Sequence, residues 1–109
     1  GTSELEYFQN ITIRPIIKMQ HDLLILSLRT YLKKRKIIIE GLSENQITQK
    51  IHAIIYKDIS YRNICLGFII GHFSSKEYIY YINHSSEIHK RIIKIIYKRF
   101  FDSLNEILN

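Results

Sequence analysis

The apolar positions of this chain fall mostly on a helical period. From Ile17 to Arg35, IKMQHDLLILSLRTYLKKR, they recur at 17, 24, 28, 31 and 32, the spacing of one helix face. The LLIL centre is apolar on most sides, which predicts a central, largely buried first helix. Its basic end, KKRK, suits the negative pole of the helix dipole. The ITIRPII stretch before it reads as extended. Ser43 and Gln46 fit the capping box S-x-x-E/Q, in which two side chains satisfy backbone N–H groups that the first helical turn leaves orphaned. Leu42 and Ile47 stand at the two positions of a hydrophobic staple. The second helix then runs to about Lys57, with Ile47, Ile51, Ile54 and Ile55 as its buried stripe.

Between these two helices lies KIIIEG, residues 36–41, three β-branched residues closed by a glycine and suited to a brief strand. At Ser60 the cap grammar returns in weaker form: Ile59 and Ile64 repeat the staple, while Asn63 stands where Glu or Gln would complete the box. A third helix is expected over about Tyr61–Ile70, ending at Gly71 in a left-handed cap. HFSSKEYIYYI then reads as a β-hairpin turning at Ser74-Ser75-Lys76, and residues 85–108 as one long fourth helix opened by serine caps.

The order is helix, short strand, helix, tight turn, helix, hairpin, long helix. It resembles a winged helix-turn-helix domain over residues 17–82, with KIIIEG as first strand, SYRNICLGFII in the recognition-helix position and 72–82 as the wing. The expected fold class is mainly α with a small β-hairpin, a winged-helix-like three-helix core plus the long C-terminal helix. Residues 1–10 read as a tag or disordered lead and 11–109 as a single domain. The resemblance implies nucleic-acid contacts by the third helix and the wing, hence Tyr61, Arg62, Asn63 and Lys76. Within the third helix, a core face of Tyr61, Ile64 and Phe68 would leave Leu66 and Ile69 on the opposite side.

Composition changes the picture in two ways. About one residue in five is isoleucine, valine is absent, and alanine and proline occur once each. Such a bias points to an AT-rich genome and devalues a simple count of lysines. Even so, 16 basic residues against 10 acidic leave a net charge of +6, which favours polyanionic partners. The cations concentrate at Lys33-Lys34-Arg35-Lys36 and along the last helix, where Lys90, Lys94 and Lys98 repeat every four residues and form one stripe able to track phosphates.

The other side of that last helix is broadly apolar. Ile93, Tyr97, Phe100, Phe101, Leu104 and Leu108, with Leu66 and Ile69 of the third helix, are the candidate partner interface, and a two-fold homodimer is the simplest way to cover it. DNA and another protein of the same complex are the further candidate partners. No apolar run reaches the roughly 18 residues of a membrane span, and the aromatics and isoleucines of the last helix read as core rather than as a membrane-surface face, so no membrane partner is expected.

Chemistry is sparse. The four glycines are scattered and form no phosphate loop, and no nucleophile has a partner motif. His21, His52, His72, His84 and His89 include no pair at i, i+4, so neither metal nor cofactor is expected. The single cysteine, Cys65, excludes an intrachain disulfide and a cysteine zinc site, and it fits an intracellular, nuclear or cytoplasmic setting rather than secretion. The expected function is therefore non-enzymatic: a basic, dimeric module associating with DNA in replication, transcription or chromatin. The alternative is a protein-interaction or self-association scaffold on the same frame.

Overall fold

The computed structural model describes residues 3–108, so Gly1, Thr2 and Asn109 lie outside it. Helix α1 (Glu4–Phe8) continues through one π-helical turn (Gln9–Ile13) into α2 (Arg14–Met19). There follow α3 (His21–Lys34), α4 (Glu44–Lys57), α5 (Ile59–Ile70), α6 (Ser75–Ile82), α7 (Ser85–Asp102) and α8 (Leu104–Leu108). No strand occurs among the described residues, so the hairpin and wing are corrected to helix and the fold class to all-α.

After Ser3 the lead is helical and joins the fold. Ser3 caps α1 by accepting from the Glu6 amide at 3.1 Å, and Phe8 is buried, its ring 4.8 Å from that of Tyr80 and 5.5 Å from that of Phe73. ITIRPII is helical rather than extended. A proline inside a helix loses an amide donor and presses on the carbonyl four residues back. Here Pro15 follows directly on the widened π turn, where the Arg14 amide reaches back to the Gln9 carbonyl, and the helix passes through it.

KIIIEG forms no strand because nothing pairs with it. Lys36 takes a left-handed φ of 55°, its amide reaching the Lys33 carbonyl and that of Ile37 reaching Leu32. Those two bonds are a Schellman ending to α3, built on lysine where glycine is usual. A turn with Gly41 at φ 83° then leads into α4, sending Ile39 into the core and leaving Ile38 74% exposed.

Helix α4 begins as its sequence dictates, with both hydrogen bonds of the Ser43–Gln46 box present and Ile47, Ile51, Ile54 and Ile55 buried. Helix α5 begins two residues earlier than expected. Asp58, the one residue between α4 and α5, accepts from the Tyr61 amide at 3.1 Å, so the cap is Asp58 and not Ser60. Ile59 and Ile64, the supposed staple, are both exposed. The buried face becomes Tyr61, Cys65, Leu66 and Ile69, which corrects the face predicted from Ile64 and Phe68. At its end Gly71 is right-handed, φ −60°, and a Cβ there would lie 3.0 Å from the Gly67 carbonyl oxygen.

The segment read as a wing is α6, opened by a complete capping box between Ser74 and Glu77. The second Glu77 oxygen accepts from the buried Thr12 hydroxyl at 3.1 Å, fastening α6 to the π turn. The last long helix is broken at Ser103 into α7 and α8. Helix α7 is the axis of the fold: it packs on α4, α5, α6, α8 and the π turn, and Ile88, Ile92, Ile93, Ile96 and Phe100 are fully buried there. No described helix is long and apolar enough to cross a membrane.

Candidate nucleic-acid interface

With five large side chains committed to the core, α7 turns its remaining positions outward. Lys90, Lys94 and Lys98 are exposed on that side and span about 12 Å at 1.5 Å per residue. They line an open concavity of about 990 Å³ together with Arg91 and Arg99 of α7, Arg14 of α2, Gln9 of the π turn and Thr48 of α4. Six cations thus meet two anions, Glu87 and Asp102. Lys90 lies 3.5 Å from Glu87 and Lys98 2.8 Å from Asp102; both pairs are more than half exposed, so they neutralise little. Lys94 has no ion pair among the described residues.

Two of the arginines are fixed. Arg91 donates to the Gln9 side chain at 3.0 Å, joining α7 to the π turn. Arg99 donates to His21 Nδ1 at 3.1 Å. Because a guanidinium only donates, Nδ1 is the bare nitrogen and Nε2 carries the hydrogen given to Glu106 at 3.0 Å. His21, Asp22 and Glu106 place their ligand atoms within 4.8 Å of one another, a metal-like grouping. Both His21 nitrogens are nevertheless occupied and a fixed positive charge adjoins them, so the group acts as a clamp among α3, α7 and α8.

Aromatic rings stand beside the lysines. Tyr97 and Phe101, one turn apart on α7, also line the concavity, and Phe101 is 36% exposed. Tyr97 is braced from α4: the His52 ring meets it edge-on at 5.3 Å, the Tyr56 ring lies 5.8 Å away, and His52 and Tyr56 stack at 4.3 Å.

The residues carried over from the winged-helix resemblance do not join this surface. Tyr61 is buried, bonded through its hydroxyl to Ser27 at 2.8 Å, and burial drives its pKa far up, so it is withdrawn as a nucleic-acid contact. Arg62 is half-buried, and its charge helps burial to lower the pKa of His89 on α7. Asn63 and Lys76 are exposed, Lys76 in the first turn of α6 rather than at a hairpin tip. None of the four lines the concavity. Cys65 is buried and its thiol is pushed up to about 11 by that burial, which leaves it a small core side chain.

The expected partner interface is largely internal. Ile93, Phe100, Leu66 and Ile69 are buried within the protomer, and Tyr97 and Leu104 are partly covered. Only Phe101 and Leu108 of that set are exposed. Apolar surface lies instead where the LLIL motif suggested burial: Leu26 is 60% exposed and shares a groove of about 500 Å³ with Ile38 and Leu108. Sequence patterning misses Gln9 because residues 1–10 read as a lead and Arg14 because ITIRPII reads as extended, and no local signal marks Thr48 as their neighbour. Comparison with protein-family models, curated proteins and solved structures finds no match.

Proposed function

We propose that this chain is a non-enzymatic module that associates with nucleic acid through the concave basic face of α7, mainly by phosphate contacts. One observation carries it: six cations from two helices border a single concavity in which only two carboxylates are present. Phosphate contacts of this kind release condensed counterions, so affinity must fall steeply as salt rises. The test is a salt titration of oligonucleotide binding by the native chain and by a Lys90, Lys94, Lys98→Gln variant. Absence of binding at low salt would remove the proposal.

A second reading, self-association, has its own support. Leu26, Ile38 and Leu108 are exposed around one groove that Arg29, Lys33 and Glu40 also line, and large apolar side chains within a polar rim are what a partner surface offers. The occupant proposed is a second copy of the chain. Light scattering across concentration tests it: a dimer that Leu26→Asp dissociates is the expected outcome, and a monomer throughout would remove it. The two readings use different faces and are compatible.

A further inference from the structure

We infer that the occupant of the α7 concavity is a single-stranded nucleic acid, with its phosphates along Lys90, Lys94 and Lys98 and its bases against Tyr97 and Phe101. The inference rests on the nucleic-acid reading above and narrows it to a substrate class.

Two observations carry it. The first is shape. A helix reads a duplex by entering the major groove, about 12 Å wide, and must protrude to do so. Helix α7 is packed on by four helices and the π turn, and its outer face is flanked by Gln9 of the π turn, Arg14 of α2 and Thr48 of α4. A helix whose cationic side borders an open concavity is poorly shaped to enter a groove, whereas a flexible strand can lie along it.

The second is the aromatic pair. Duplex backbone offers only phosphate and sugar, which give an exposed phenyl ring nothing to stack on. An unpaired base offers a π-face, and rings interleaved with cations are how sequence-tolerant single-strand binders hold their ligands. Tyr97 and Phe101 are spaced i, i+4, the same interval as Lys94 and Lys98, so rings and charges advance together at about 6 Å per step. Tyr97 is also held in place by His52 and Tyr56, so its ordering is not left to the ligand.

The test is fluorescence anisotropy of the full chain with labelled oligo-dT and with a mixed-sequence duplex of equal length, at matched ionic strength. Oligo-dT is expected to bind about tenfold or more tightly than the duplex. Phe101→Leu, which keeps apolar volume but removes the π-face, and Tyr97→Ala should each weaken oligo-dT binding, by about fivefold to a hundredfold, and weaken duplex binding less. Tyr97→Phe, which keeps the ring, should bind as the native chain does and guards against a folding artefact. Equal or tighter duplex binding, or indifference to loss of both rings, overturns the single-strand inference and leaves the basic-face reading intact. Failure of both probes to bind at low salt overturns both.

Discussion

Tyr31 donates its hydroxyl hydrogen to the Asp58 carboxylate across 2.6 Å, tying α3 to the one residue that separates α4 from α5. Asp58 also caps α5 and lies 3.3 Å from Arg35, whose guanidinium sits over the Tyr31 ring at 4.5 Å. One side chain therefore sets where a helix starts and how two helices meet a third.

The Tyr31 hydroxyl, followed by the Tyr61 amide, holds the Asp58 carboxyl below its usual range. A carboxyl depressed in the folded state contributes stability that is complete above its unfolded value and is lost as pH falls through the folded one. Asp58→Ala should lower Tm by several degrees at neutral pH and flatten the acid limb of Tm against pH. Asp58→Asn, which keeps the cap, should cost less. Equal Tm for all three proteins, measured by circular dichroism, would show that the junction does not depend on this residue.

His89 behaves in the opposite chemical sense. Burial first and Arg62 second lower its pKa, and the Tyr81 hydroxyl bonds its Nε2. The unfolded chain then binds more protons, so stability should decline as pH falls below about 6.5, the ordinary histidine value. His89→Gln should remove that component of the decline in a pH series of melts. An unchanged profile would contradict it.

Lys36 occupies a left-handed φ of 55° at the close of α3. Only glycine takes that conformation without a steric penalty, so Lys36→Gly should stabilise the protein by about 0.5–1 kcal/mol in a urea melt. Loss of stability would mean that the lysine side chain does more than end a helix.

Ile93 is fully buried. Ile93→Asp should cost more than about 3 kcal/mol by placing a charge in the core. Unfolding, read by circular dichroism, is thus the expected result, and a folded protein that merely changed oligomeric state would contradict the internal placement.

Legibility of the fold in the sequence depended on how local each determinant is. The Ser43–Gln46 box and the isoleucine stripe of α4 are complete within a dozen residues, and they were readable. The Ser74–Glu77 box is equally local, yet EYIYYI also satisfies strand propensity, and that competing signal produced the false hairpin. What a hairpin lacks here is any partner for its edges. Ser60 and Asp58 are both competent caps, and the partners of Asp58, Tyr31 on α3 and Arg35 just beyond its end, are supplied by tertiary packing. The lysine stripe of α7 was visible at four-residue spacing. Its flanks, Gln9, Arg14 and Thr48, come from distant segments, so the stripe could be read and the concavity could not. The same holds for the apolar side of α7: its width is plain, but how much of it α4, α5 and α6 cover depends on the packing of helices, one of which has the composition of strands.

The most direct measurement is the slope of log affinity against log salt for a labelled oligonucleotide, in the native chain and in the Lys90, Lys94, Lys98→Gln variant. If the outer face of α7 holds phosphates, binding at low salt is strong and falls steeply, and each lysine removed flattens the slope by about 0.7 for a single strand. A variant that binds with the native slope, or a native chain that binds nothing at low salt, would contradict it.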